Sequence, residues 1–301
     1  MKSYRINSVV RKVIYTTIVP TNPTRQLGVK AKVILAAQTQ NSKLKTQNSK
    51  LITLLGLLGY PLGHSFSQRY FTEKFEREGI SGYRYELFPL PDITLFPELI
   101  AVHPDLRGLN VTVPHKVTVM RYLDEIDDTA RAVGAVNVIR IRQGRLTGFN
   151  TDVIGFEQSM LPWLKRWKRA YDPPQALILG TGGASKAVGY VLKKWGVAFL
   201  FVSRQPHGKY QIAYSNLSFY DFESLQGIFN TTPLGMYPET AGCPELPFDK
   251  LGPQHLVYDL VYNPPETLLL QRAKTRGATV KNGLEMLHLQ AEAAWTIWRQ
   301  H

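Results

Sequence analysis

The stretch that decides the fold is Gln175-Ala176-Leu177-Ile178-Leu179-Gly180-Thr181-Gly182-Gly183-Ala184-Ser185. Its first five residues are largely apolar, as in a buried strand, and a helix is predicted to follow over residues 186–195. Glycines at such a junction let the backbone approach a pyrophosphate, which the N–H groups and the dipole of the helix N-terminus then hold. The stretch therefore predicts a dinucleotide-binding βαβ unit rather than a merely tight turn.

The same alternation of strands and helices continues to the end of the chain. Strands are predicted over residues 198–202, 227–230, 256–261 and 278–280, and helices over residues 264–276 and 284–298. Residues 171–174, Tyr-Asp-Pro-Pro, separate this region from the one before it. The pattern favours a parallel, doubly wound sheet.

The residues that follow the second strand of this region indicate which dinucleotide binds. An acid about 20 residues beyond the glycines would bind the ribose hydroxyls of NAD. Ser203 and Arg204 stand there instead, a hydroxyl and a fixed cation that suit a 2′-phosphate and favour NADP. The alternative is that Arg204 is an ordinary solvated arginine. Residues 205–218 have little helical periodicity, and Lys209 among them could supply a second cation.

The region before residue 153 follows a less uniform pattern. Strands are predicted over residues 51–58, 83–88, 106–113, 136–142 and 146–149, and helices over residues 67–78, 114–122 and 125–133. Gln143-Gly144 joins two of these strands as a hairpin. A further helix follows Asp152 and ends near Trp167. We therefore expect mostly parallel strands with one antiparallel pair.

Two charged residues of opposite sign stand where apolar runs end in this first region. Lys116 follows the strand predicted to end at residue 113, and Asp152 follows the hairpin. Open α/β sheets present their chemistry at the carboxyl ends of strands, and opposite charges there tune each other's proton affinity. If the two side chains meet, they form a proton-transfer pair. Taken singly, Lys116 could be a solvated first-turn lysine and Asp152 a helix N-cap.

Charge and cysteine content limit the possible partners. Residues 1–50 hold ten Lys and Arg and no Asp or Glu, so the net charge of +13 falls to 26 − 23 = +3 over residues 51–301. That balance predicts no nucleic-acid partner. Cys243 is the single cysteine, which excludes an internal disulfide, and no Cys/His cluster suggests a metal. A reducing compartment, the cytoplasm, is expected.

The first fifty residues differ from the rest in sequence character. TQNSKL at residues 39–44 recurs at residues 46–51, and each copy offers a single leucine. This composition predicts a disordered extension, or a start codon placed too far upstream. A targeting presequence is the alternative, since such segments are basic and poor in acids. Residues 51–58 are too short an apolar run to span a membrane, and no membrane partner is expected.

Nine motifs in one order carry a resemblance to the shikimate dehydrogenase family that covers residues 52–299. They are GYP at 59–61, HSFS at 64–67, NVTVPHK at 110–116, GAVN at 134–137, NTD at 150–152, GTGGAS at 180–185, NTT at 230–232, YDLVY at 258–262 and GLEMLHLQ at 283–290. The resemblance implies two α/β domains: a substrate domain over residues 51–152 and a Rossmann-type NADP domain over residues 153–282. It implies that residues 283–301 form a helix that packs back on the substrate domain.

The same resemblance implies the reversible NADPH-dependent reduction of 3-dehydroshikimate to shikimate, a step of aromatic amino-acid and chorismate biosynthesis, by a monomer or homodimer. It implies that Lys116 and Asp152 form the catalytic pair. Substrate-binding residues would be Ser65, Ser67, Thr112, Asn137, Tyr262 and Gln290. Cofactor-binding residues would be Gly180, Gly182, Gly183, Ala184, Ser185, Ser203, Arg204, Thr231 and Gly283. Short hydroxyl and amide side chains suit a small polyhydroxylated acid.

Two other interpretations remain open. A quinate/shikimate dehydrogenase with relaxed cofactor use is one, although Ser67 in place of a bulkier threonine and the presence of Arg204 argue against it. A non-catalytic NADP-binding regulator is the other. The presence of both Lys116 and Asp152 argues against a regulator, because a binding protein needs no proton-transfer pair.

Overall fold

The computed structural model describes residues 52–63 and 66–300. The predicted extension over residues 1–50 lies outside the described residues, and so does Ser65. In the described part, twelve strands form two six-stranded sheets, with helices packed around them. No helix in that part has the length and apolar character needed to cross a membrane. The predicted α/β class is confirmed.

The first sheet has the strand order β2-β1-β3-β5-β6-β4. Its strands are β1 (Thr53–Gly59), β2 (Tyr83–Pro89), β3 (Leu106–Val111), β4 (Glu125–Ile126), β5 (Val138–Arg142) and β6 (Arg145–Phe149). The expectation of one antiparallel pair was wrong, because β5 is antiparallel to β3 as well as to β6. The backbone N–H of Val111 donates to the carbonyl of Asn137 over 2.8 Å, so the chain enters β5 at the end where β3 stops and must run back.

Helices of this region are α1 (Phe66–Arg77), α2 (Phe96–Val102) and α3 (Asp128–Val133). The helix predicted over residues 114–122 was wrong, since only a 3-10 turn at Thr118–Tyr122 forms. Tertiary contacts hold the preceding residues instead. The Lys116 carbonyl accepts from the Val136 N–H over 2.7 Å, and the buried His115 ring contacts the Leu90 carbonyl over 2.5 Å. The helix predicted from residue 125 begins only at Asp128, because Asp127 caps it and β4 occupies the preceding residues.

The second sheet has the strand order β12-β11-β10-β7-β8-β9, and all its neighbouring strands pair in parallel. Its strands are β7 (Gln175–Leu179), β8 (Ala198–Ser203), β9 (Gln211–Ala213), β10 (Leu225–Asn230), β11 (Leu256–Asp259) and β12 (Thr279–Lys281). The helices that follow β6 in the chain are α4 (Thr151–Ala170), α5 (Gly183–Lys194), α6 (Leu268–Thr275) and α7 (Leu284–Arg299). Helix α6 starts four residues later than predicted, because the Thr267 side chain caps it.

A short loop replaces the helix that usually follows the second strand of such a sheet. The chain leaves β8 at Ser203 and already enters the parallel strand β9 at Gln211. The Phe201 N–H donates to the Tyr210 carbonyl over 2.9 Å, which closes the loop against the strand. A 3-10 turn over Tyr214–Phe219 follows β9. The lack of helical periodicity in residues 205–218 correctly predicted this departure.

The last helix packs against the first sheet, as expected from the family resemblance. The Trp298 indole N–H donates to the carbonyl of Ile139 over 3.0 Å, and the ring lies against Gly108 of β3. A Cβ at Gly108 would collide with the indole, so glycine is required for this contact. Helix α7 also crosses α4 at Gly155, where an added Cβ would lie 2.6 Å from the Met286 carbonyl. These close approaches bring the chain end back to the polar edge of the first sheet.

Candidate active site

The two charged residues singled out in the sequence meet in the structure. The Lys116 Nζ lies 2.6 Å from Oδ2 of Asp152, and the two side chains are 20% and 8% exposed. Lys116 stands on the turn after β3, and Asp152 in the first turn of α4 after β6. The predicted N-cap role of Asp152 was wrong, because the Asn150 side chain caps α4 by accepting from the Val153 N–H. The Asp152 carboxylate is thereby left for Lys116.

Asn137 holds the other oxygen of that carboxylate. Its Nδ2 donates to Oδ1 of Asp152 over 2.8 Å, and its Oδ1 accepts from the Thr151 N–H over 2.7 Å. The Asn150 Nδ2 in turn donates to the Ala135 carbonyl over 2.8 Å. Because these groups are buried and mutually bonded, they fix the direction in which Asp152 presents its free lone pairs.

Gln290 reaches the same network from helix α7. Its Oε1 lies 3.5 Å from the Thr151 Oγ1, and its Nε2 donates to the Leu287 carbonyl over 3.0 Å. The residue is only 8% exposed. An amide on a closing helix would ordinarily be solvated. The close contact of α7 with Gly155 explains its burial, since an added Cβ there would lie 3.1 Å from the Gln290 Cβ.

The other predicted substrate residues stand on separate segments: Ser67 in α1, Thr112 after β3, and Tyr262 after β11 of the second sheet. None of these three described residues is hydrogen-bonded to Lys116 or Asp152. Thr112 packs its methyl group against Gly59, where an added Cβ would collide with it. Tyr262 is half-buried, with its ring edge on Phe66 of α1 at 5.5 Å, and burial raises its pKa. Ser65 lies outside the described residues. The structure therefore brings four of the predicted polar residues into one network: Lys116, Asp152, Asn137 and Gln290.

Sequence reasoning missed Tyr85, which is buried on strand β2. Its hydroxyl donates to Oδ1 of Asn110 over 2.7 Å, and its ring stacks on Phe71 at 4.8 Å. Burial raises the pKa of the phenol well above its usual range, and a hydrogen bond with Ser67 acts in the opposite direction. A tyrosine between Arg84 and Glu86 in a partly buried strand gives no local sign of these hydrogen bonds. The hydrogen bonds of Tyr85 with Asn110 and Ser67 are visible only in the structure.

The glycine-rich turn lies directly against the lysine. A Cβ built at Gly183 would lie 3.1 Å from both Cβ and Cδ of Lys116, whereas one at Gly182 would meet nothing within 4 Å. Helix α5 begins at Gly183, and its N-cap Gly182 offers no side-chain acceptor to the first N–H groups. The Ser185 hydroxyl is turned inward to the Gly182 carbonyl over 2.6 Å. Open space and free N–H groups at a helix N-terminus fit a pyrophosphate.

The remaining predicted cofactor residues stand at neighbouring strand ends. Thr231 bonds the Leu179 carbonyl through its hydroxyl over 2.6 Å, and an added Cβ at Gly180 would lie 2.9 Å from that hydroxyl oxygen. Ser203 bonds the backbone of Gln205, which leaves Arg204 exposed at the end of β8. Lys209 lies with its Nζ 4.9 Å from the centre of the Tyr210 ring. Gly283 is pressed against the Leu260 carbonyl, which no larger residue would allow.

Taken together, a buried Lys–Asp pair beside an open glycine-rich turn on a parallel sheet is the arrangement of a dinucleotide-dependent oxidoreductase. No group of three or more His, Cys, Asp or Glu side chains suited to a metal ion occurs among the residues that the structure describes.

Comparisons with known proteins identify the family. The family model for the shikimate dehydrogenase substrate binding domain matches residues 57–139. The NADP(+) shikimate dehydrogenase of Methanococcus maripaludis is 36% identical over 265 residues, which are 83% of this chain and 93% of that protein. A solved shikimate dehydrogenase in complex with NADP+ is 34% identical with a TM-score of 0.73, over 82% of this chain and 90% of that one. The Thermus thermophilus enzyme, solved with NADP(H) and shikimate, is 30% identical with a TM-score of 0.70, over 82% of this chain and 94% of that one. The chain belongs to the shikimate dehydrogenase family.

Proposed function

We propose that the chain catalyses the reversible, NADP-dependent interconversion of 3-dehydroshikimate and shikimate. The observation that carries this proposal is the 2.6 Å contact between Lys116 and Asp152 immediately beside Gly183 of the glycine-rich turn. This contact supports a proton-transfer pair beside the turn that we propose to hold the nicotinamide dinucleotide. Relatives named as NADP(+) shikimate dehydrogenases, and one solved with both NADP(H) and shikimate, support the same substrate and cofactor.

The substrate is assigned to the polar edge of the first sheet, within residues 51–152 and helix α7, and the cofactor to residues 153–282. Asn137, Gln290 and Asp152 present amide and carboxylate groups that suit the hydroxyls of shikimate. Ser65, Ser67, Thr112 and Tyr262 are proposed to supply further hydroxyls to the substrate. Specificity follows because an analogue that lacks a hydroxyl leaves buried polar groups unpaired.

The residues around the glycine-rich turn fit NADP. The free N–H groups at the start of α5 suit the pyrophosphate, and the exposed Arg204 suits the 2′-phosphate. Thr231 lines the turn through Gly180, and Lys209 is assigned as a second cation. The chemistry that NADP(H) supplies when bound is hydride transfer at the carbon that carries the reacting oxygen.

The protein's own part in the reaction is to move and hold a proton. In the direction of reduction, the substrate oxygen gains the proton that the Lys116–Asp152 pair holds, and in the direction of oxidation the pair takes that proton back. Asn137 keeps Asp152 oriented through the second carboxylate oxygen, 2.8 Å from its Nδ2. Positioned proton transfer of this kind contributes roughly 10²–10⁴-fold to a rate.

One assay tests the proposal against its alternatives. Shikimate or quinate is mixed with NADP+ or NAD+, and the reduced nicotinamide is followed by absorbance. We expect turnover with shikimate and NADP+ to exceed the other three combinations. Comparable rates with quinate and NAD+ would instead establish a quinate/shikimate dehydrogenase. Binding of NADP+ without turnover on either substrate would establish a regulator.

A further inference from the structure

Asp259 is a buried carboxyl group that the proposed reaction does not use. It ends strand β11 and is fully inaccessible to solvent. Its Oδ1 accepts from Nδ2 of Asn230 over 2.9 Å and from the N–H of Val261 over 3.0 Å, and its Oδ2 accepts from the Thr267 hydroxyl over 2.6 Å. All three partners are neutral donors. Asp259 therefore accepts hydrogen bonds from three separate segments of the chain.

The first of these segments leads to the glycine-rich turn. Asn230 donates to Asp259, and its Oδ1 accepts from both the N–H and the hydroxyl of Thr232 over 3.1 Å and 2.7 Å. The intervening residue, Thr231, bonds the Leu179 carbonyl and faces Gly180. The orientation of Asn230 therefore sets how the turn 231–232 meets the first glycine of the dinucleotide motif.

The other two segments support the same turn from behind. Thr267 caps helix α6 and lies under the loop that continues from residue 232, where an added Cβ at Gly235 would be 3.5 Å from the Thr267 Cβ. The Tyr237 N–H of this loop donates to the carbonyl of Asn263 over 3.0 Å. Val261, held by Asp259, accepts from the Gly283 N–H over 3.1 Å. One carboxyl group thus ties together the ends of β10 and β11, the start of α6 and the approach to α7.

We propose that Asp259 is a positioning residue for the cofactor, acting through the geometry of its accepted hydrogen bonds rather than through its charge. The proposal rests on the proposed NADP-dependent function. Removal of the side chain leaves three buried donors unpaired and lets the turn 231–232 move away from Gly180. Asparagine can keep the arrangement, because its oxygen can accept from Asn230 and Val261 while its amide donates to the rotatable Thr267 hydroxyl.

The test measures NADP+ dissociation constants by calorimetry for the full-length protein and its variants. We expect Asp259→Ala to raise the Kd about tenfold and Asp259→Asn to change it less than about threefold. The KM for shikimate should stay within about twofold in both. Thr267→Val removes one of the three donors and should raise the Kd by about threefold even if Asp259→Ala folds poorly.

Ser159→Ala provides the matched control. It deletes a buried 3.0 Å hydrogen bond to the hydroxyl of Tyr258, the residue before Asp259, without touching the turn. It should lower the melting temperature and leave the Kd for NADP+ unchanged. The proposal is overturned if Asp259→Ala binds NADP+ like the parent, if Asp259→Asn loses as much affinity as Asp259→Ala, or if Ser159→Ala weakens binding equally. A parent protein that does not bind NADP+ at all would instead refute the proposed function.

Discussion

At the carboxyl edge of the first sheet, side chains bond to one another, whereas at the glycine-rich turn after β7 of the second sheet, backbone groups lie open. Asp152 is held at the first edge by Lys116 and Asn137, and the Asn137 amide oxygen in turn accepts from the Thr151 N–H of α4. Gly182, by contrast, has no side chain and nothing within 4 Å of the place where a Cβ would stand. The two edges face each other at Gly183 and Lys116.

This difference fits what each edge is proposed to bind. A small hydroxylated acid is distinguished by the pattern of its hydroxyls, so the groups that read it must be prearranged by a dense network. A pyrophosphate is distinguished by charge and shape, which a helix N-terminus supplies without side chains. We therefore expect the first edge to be sensitive to lost side chains and the glycine-rich turn to be sensitive to added ones.

The largest effect is expected from Lys116→Ala. Loss of the proposed proton-transfer pair should lower kcat for shikimate oxidation by about 1,000-fold, while the Kd for NADP+ stays within about twofold. Steady-state kinetics and calorimetry measure the two quantities. Lys194→Ala, which breaks a surface ion pair with Glu157 at 2.9 Å, is the control and should keep normal turnover. Normal activity in Lys116→Ala would remove the pair from the mechanism.

A pair of alanine substitutions sharpens the comparison where the two edges meet. Gly183→Ala places a methyl group 3.1 Å from the Lys116 side chain, so it should displace the lysine and lower kcat about 30-fold. Gly182→Ala meets no protein atom within 4 Å, so it should raise the KM for NADP+ with little change in kcat. Stopped-flow and steady-state measurements separate these effects. Identical kinetic changes in both variants would mean that the turn affects catalysis only by binding the nucleotide, and not through the contact between Gly183 and Lys116.

A smaller effect is expected at the exposed end of β8. Arg204→Ala should raise the KM for NADP+ about tenfold and leave the KM for NAD+ within about twofold, because only NADP carries the 2′-phosphate. The ratio of kcat/KM for the two cofactors measures this. Arg276→Ala, at the far end of α6, serves as the charge-matched control. An unchanged ratio in Arg204→Ala would make this residue an ordinary solvated arginine.

The last prediction concerns only the dependence of stability on pH. Burial raises the pKa of Asp259 from 3.8 to about 6, so the native state retains a proton that the unfolded chain releases between these values. The corresponding stabilisation is present below pH 3.8 and is lost as the pH rises through about 6, and it amounts to at most about 3 kcal/mol. Asp259→Asn lacks this titration. Its melting temperature relative to the parent should therefore rise from pH 4.5 to pH 7.5, and a constant difference would contradict the argument.

Much of the second sheet could be predicted from its sequence, because most of its strands are short, largely apolar runs bounded by turn residues. Strand β9, with the sequence Gln-Ile-Ala, was not predicted. The predicted bounds of strand β7 match those of the structure, and the loop at residues 205–218 was correctly expected to lack a helix. The first sheet was predicted less well. The turn at residues 114–117 resembles a helix start locally, but contacts between Lys116 and Val136 and between His115 and Leu90 hold it otherwise.

The residues of the candidate site were likewise only partly predictable from the sequence. Charge and position after strand ends singled out Lys116 and Asp152 as a possible pair, and the family resemblance favoured a catalytic role over a solvated lysine and a helix N-cap. Tyr85 and Asp259 gave no such signal, because a tyrosine in a strand and an aspartate after one are common. Their roles depend on partners 25 and 29 residues away in the chain, Asn110 and Asn230. Both residues are buried, so the partners available to them depend on how distant segments of the chain pack together.

The sequence by itself determined that this chain forms parallel α/β units, that one of them suits a dinucleotide, and which two charged residues could exchange a proton. These features are local: apolar periodicity, glycine at a strand end, and residue type. Only the tertiary structure decided that Asn150 rather than Asp152 caps α4, that Gln290 returns to the first sheet, and that Gly183 rests on Lys116. Those outcomes depend on contacts between distant segments, whose free energies no single stretch of sequence contains.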